Sequence, residues 1–192
     1  RQTANALFGN AASVLVGDFL YSRAFQMMVS VHKPRVLEVL ADATNVIAEG
    51  EVLQLMNMHD PDLAVDDYLR VIRYKTAKLF EASARLGAVL ADSPPSLEEA
   101  CADYGRSLGT AFQLVDDLLD YEGDTHALGK NVGDDLREGK PTLPLLLAME
   151  QATDAERTMI RRAIEHGETS RLADIIFLYR WKLCLLQQVS LK

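Results

Sequence analysis

Apolar residues recur at intervals of three and four along almost the whole chain, and no sustained period-two alternation marks a strand. This spacing predicts an all-α protein, with helices over residues 10–31, 34–56, 65–91, 97–121, 142–150 and 154–166. The predicted breaks have their own chemistry. His32-Lys33-Pro34, His59-Asp60-Pro61 and Ser93-Pro94-Pro95-Ser96 each place a helix-breaking proline after polar residues, and glycines punctuate the segment between Gly123 and Pro141. Long helices joined by short turns imply a helical bundle, in which a ligand site is built from side chains on facing helices.

One helical stretch breaks the apolar pattern. Between Gly109 and Tyr121, three carboxylates, Asp116, Asp117 and Asp120, interrupt a largely apolar run. On a helix the first two lie four and three residues before the third, so all are surface neighbours able to converge. Carboxylates that close resist ionising together unless a cation offsets their repulsion. Mg²⁺ suits such a cluster, because it keeps several waters, uses one or two carboxylates and completes its shell with substrate phosphate oxygens. The alternative is a solvated turn of a surface helix, the ordinary fate of an aspartate cluster. Downstream, Gly129-Lys130-Asn131-Val132-Gly133-Asp134-Asp135 and Glu138-Gly139-Lys140-Pro141-Thr142 supply permissive backbone and ammonium groups, as diphosphate binding requires, although an exposed loop also favours such residues.

Composition narrows the classes. The chain has 192 residues, 48% of them hydrophobic, which is enough for one domain with a substantial core. A net charge of −8 argues against nucleic acid as a partner. Cys101 and Cys184 show neither zinc-ligand spacing nor a disulfide framework. No basic segment precedes an apolar stretch at the start, and Arg180 and Lys182 interrupt the late apolar stretch from Ile175 to Leu191. A cytoplasmic protein is expected. A di-iron bundle site is excluded, because no histidine has a glutamate three residues before it.

The segments GTAFQLVDDLLDY, GKNVGDDLREGKPTLPLLLA, EGEVLQL and YKTAKLFEAS together resemble the trans-prenyl diphosphate synthases (polyprenyl synthetases), most closely the bacterial octaprenyl type. The likeness runs from about residue 3 to about residue 172. It implies an isoprenoid synthase bundle that condenses isopentenyl diphosphate with an allylic diphosphate, making quinone side chains. By that resemblance Asp116, Asp117 and Asp120 hold Mg²⁺ on the allylic diphosphate, and Lys75, Lys130 and Lys140 contact its oxygens. Thr76 and Gln113 lie near the reacting allylic carbon. A homodimer is implied, and the lipid product would bring the protein near membranes.

A complete synthase of this family also carries a first aspartate-rich motif upstream, and these residues do not include it. The expectation is a partial synthetase domain over residues 1–172 followed by a divergent tail, 173–192, which is apolar on nearly every face and should pack poorly or drive association. The alternative is a catalytically inactive remnant or non-catalytic subunit that binds diphosphate or a partner chain. Asp18 could touch a ligand, but a hydrogen-bonded helix aspartate is the simpler reading, and Glu49 and Glu51 stand as either pocket-facing or surface acids.

Overall fold

The computed structural model describes residues 3–122 and 132–189, the last nine of these for their backbone alone. Every regular element among them is helical: α1 (Ala4–Ser30), α2 (Pro34–Asn57), α3 (Val65–Ile72), a π turn (Arg73–Ala77), α4 (Lys78–Leu90), α5 (Pro95–Glu122), α6 (Asp134–Arg137), α7 (Leu143–Glu150), α8 (Asp154–His166) and α9 (Leu172–Val189). The six predicted helices are all present. Local chemistry explains the ends: Pro34 sits in the first turn of α2, and Thr153 and Glu156 form a reciprocal capping box at α8, which closes on left-handed Gly167.

The predicted helix over 65–91 is real but interrupted. Its backbone widens into a π turn at Arg73–Ala77, which carries Lys75 and Thr76. Two glycines allow neighbouring helices to hold that turn closely. A Cβ on Gly50 of α2 would lie 2.5 Å from the Lys75 backbone nitrogen, and one on Gly109 of α5 would lie 2.6 Å from Ala77 Cα. The turn is therefore clamped between α2 and α5 by backbone contact that no larger residue permits.

The main core gathers the C-terminal half around α5. Leu136, Leu145, Ile160, Ile164 and Ile175 are essentially inaccessible, and Tyr68, Tyr121 and Tyr179 close the cluster. Ile164→Ala is expected to lower stability by about 2–5 kcal/mol, the usual range for truncating a buried branched residue. A chemical denaturation midpoint unchanged by that substitution would contradict this core. Within the described part of the tail, Ile175 and Tyr179 run against the expectation of poor packing, because α9 turns them into the core while Phe177 points outward, and the tail's side chains from residue 181 on lie outside the described residues. At the other end α1 has no buried residue, although Phe8, Leu15, Val16, Phe19, Leu20 and Met27 lie along it. Among the described residues no helix is long and apolar enough to cross a membrane.

Candidate active site

The end of α2, the π turn, the middle of α5 and the segment after α6 enclose a cavity of about 280 Å³. Lys75, Thr76, Gln113, Asp116, Asp117 and Lys140, all expected from the sequence, line it. Lys130 lies outside the described residues. Asp120 does not line the cavity. Its carboxylate instead accepts the Asp135 backbone N–H at 3.1 Å, while its own carbonyl accepts the Gly133 N–H at 2.9 Å. It thereby holds the start of α6 against α5.

Asp117 is buried and both its oxygens are engaged: Tyr68 donates its hydroxyl at 2.5 Å and Gln113 donates its amide at 2.7 Å. Gln113 in turn accepts from the Thr76 hydroxyl at 2.8 Å. Burial is the main reason the Asp117 carboxyl is pushed up to about 6; the hydrogen bonds from Tyr68 and Gln113 oppose it, and the charges of Asp135 and Asp116 add to it. Because that value lies above the ordinary 3.8, protonating this group favours the folded state. The contribution is present below about pH 4 and lost as pH rises through about 6. The Asp117 carboxyl carbon should therefore titrate near pH 6 by NMR, and a midpoint below pH 4 would contradict this burial.

The lysines are held by acids. Lys75 donates to Gln54 at 3.0 Å and pairs with Glu51 at 3.4 Å. Lys140 pairs with Glu138 at 2.6 Å and Asp135 at 2.9 Å. Burial is the largest single influence on Lys140 and would lower its pKa, but the two carboxylates together outweigh it and the net shift is upward. The ammonium therefore stays charged. Gly139, just before it, has φ +77°, and a Cβ there would fall 2.2 Å from the His59 ring. The close seating of this turn on His59 is what delivers Lys140 to the cavity.

Of the other acids weighed from sequence, Glu51 reaches the site through Lys75, Glu49 accepts from Asn45 at 2.6 Å, and Asp18 is exposed on α1 away from the cavity. Tyr68, Gln54 and Asp135 join the lining without having been singled out. A tyrosine on the apolar face of a helix reads as core, so only the fold could reveal Tyr68. Asp135 had a visible signal, since it lies in the loop already associated with diphosphate.

Among the described residues no three His, Cys, Asp or Glu side chains stand close enough to hold a metal ion by themselves. The donors at the cavity, Asp116, Asp117 and Asp135, are nevertheless hard oxygens. That set suits Mg²⁺, whose remaining positions are filled by water and phosphate, and offers zinc neither nitrogen nor sulfur.

The Polyprenyl synthetase family profile matches residues 1–179. The octaprenyl diphosphate synthase of Escherichia coli is 62% identical over 174 residues, covering 91% of this chain and 54% of that protein. That of Haemophilus influenzae is 59% identical over 167 residues, 87% of this chain and 51% of that protein. A crystal structure of a Caulobacter crescentus polyprenyl synthase complexed with calcium and isoprenyl diphosphate matches with a TM-score of 0.89 and 48% identity, over 98% of this chain and 58% of that one. The Rhodobacter capsulatus decaprenyl diphosphate synthase matches at 0.85 and 48%, over 93% and 56%. The chain spans about half the length of the curated relatives it matches. With the profile extending seven residues beyond 172 to include the core-forming Ile175 and Tyr179, the chain belongs to the polyprenyl synthetase family.

Proposed function

We propose that the cavity binds the diphosphate of an allylic substrate together with Mg²⁺, as one part of a polyprenyl diphosphate synthase that adds isopentenyl diphosphate to the allylic chain. The observation that carries this reading is the convergence of Lys75, Thr76, Gln113, Asp116, Asp117 and Lys140, from separate segments, on one cavity. Asp116, with Asp117 behind it and Asp135 opposite, would hold the metal, and Lys75 and Lys140 would meet the remaining phosphate oxygens. Lys130 belongs to the same set by its place in the motif. Bound Mg²⁺ would neutralise charge on the departing diphosphate.

The chain's own groups supply the rest. Two ammonium groups at fixed positions stabilise the anion as it leaves. Thr76 presents an oxygen to the cavity, and Val71, Ile72 and Leu63 form an apolar wall that limits access of water to the carbon end. Covering 54% of the Escherichia coli enzyme's length, these residues are assigned diphosphate binding but not elongation on their own. Calorimetry with Mg²⁺ and a non-hydrolysable allylic diphosphate tests the first assignment, with binding dependent on both components expected. Incorporation of radiolabelled isopentenyl diphosphate by the purified chain tests the second, and robust turnover would overturn it.

The apolar face of α1 points to self-association, and we assign it to a homodimer. The reading places the protein in the cytoplasm, with its lipid product bringing it near membranes.

A further inference from the structure

The charge of the cavity is balanced from outside it. Among the described residues its charged lining consists of the ammonium groups of Lys75 and Lys140 and the carboxylates of Asp116, Asp117 and Asp135. Each lysine also carries an acid that does not line the cavity: Glu51 of α2 pairs with Lys75 at 3.4 Å, and Glu138, just after α6, pairs with Lys140 at 2.6 Å. Lys75 donates to Gln54 as well, and Lys140 to Asp135. An ammonium has three protons, so each lysine can still reach a ligand, but with its charge already offset. The lining has one more carboxylate than ammonium, and the two outer acids deepen that excess. A bare phosphate anion therefore meets a negative site. One that arrives with Mg²⁺ brings its own cation.

Resting on the allylic diphosphate reading above, we propose that Glu51 and Glu138 are specificity-determining residues, which act through Lys75 and Lys140 to admit diphosphate as its Mg²⁺ complex and turn away the bare anion. Their side chains are 52% and 58% exposed, so neutralising either leaves no buried group unpaired, and each lysine keeps its inner partner, Gln54 or Asp135. The effect of such a change is electrostatic. Removing a negative charge favours a nearby anion in proportion to that anion's own charge. Bare diphosphate must gain more than its Mg²⁺ complex, most of whose charge is already cancelled, and the preference for the complex narrows.

The test titrates inorganic diphosphate into the chain by calorimetry, once with Mg²⁺ and once after divalent metal has been dialysed away, at one ionic strength. Glu51→Gln and Glu138→Gln should each strengthen metal-free binding by about tenfold and binding of the Mg²⁺ complex by about twofold. The metal-free gain should shrink as salt is added, because both acids are exposed. Asp18→Asn, which removes the same charge from the exposed helix α1, should change neither affinity. Weaker binding in both titrations would make the glutamates mere supports for the lysines and defeat the proposal. An equal gain in Asp18→Asn would trace the effect to net charge and defeat it too. If the unmodified chain bound diphosphate no better with Mg²⁺ than without, the proposal would fail together with the metal reading of the cavity. If it preferred the Mg²⁺ complex and both glutamate variants kept that preference in full, the cavity reading would stand and only the role of Glu51 and Glu138 would fall.

Discussion

Asp116→Asn should lower the joint affinity for Mg²⁺ and an allylic diphosphate by about 100-fold, because even partners behind a metal ligand cost 10–100-fold and a ligand should cost no less. The three aspartates are equivalent in a motif but not in space. Asp116 lines the cavity, Asp117 stands buried behind it with its oxygens turned to Tyr68 and Gln113, and Asp120 faces the backbone of α6. Asp120→Asn should therefore act indirectly, loosening the turn that carries Asp135, with a smaller effect that more substrate overcomes. Calorimetry on the two variants separates these roles. If Asp120→Asn abolished binding while Asp116→Asn left it intact, the division of labour read from the helix would be wrong.

The helices of this fold were legible because proline, caps and three-to-four spacing all agree at their ends. Pro34, Thr153 and Gly167 each act within a few residues, so the chain alone displays their effect. The π turn was not legible. A short stretch of extra width leaves no residue signature of its own, and the glycines packed against it, Gly50 and Gly109, are distant in sequence. Lys75 and Thr76 show the same limit: their place in the site came from family resemblance, since on helical spacing alone they form an ordinary solvated face. Convergence of all three aspartates followed from ideal helix geometry but ignored burial, and burial turns Asp117 toward Tyr68. The tail was hard to read for a related reason. With apolar residues on nearly every face, α9 has no visible inward stripe, and only packing selects Ile175 and Tyr179.

Beside the tail, α1 presents a second candidate adhesive surface. Leu15 and Phe19 are four residues apart on α1 and remain 67% and 65% exposed. An apolar helix face that is buried nowhere must be covered by another surface or become a site of association. In a two-fold homodimer each patch meets its own copy or its immediate surroundings, so two substitutions place four charges at one interface. Leu15→Glu combined with Phe19→Glu should raise the dimer dissociation constant by at least about 100-fold, since like charges brought together at an interface cost several kcal/mol. Sedimentation velocity should then show a monomer where the unmodified chain associates. Deleting residues 173–192 should act differently: it removes Ile175 and Tyr179 from the core and lowers the unfolding midpoint before it changes association. If the tail deletion yielded a stable monomer while the α1 variant still associated, the tail would be the interface and α1 would not.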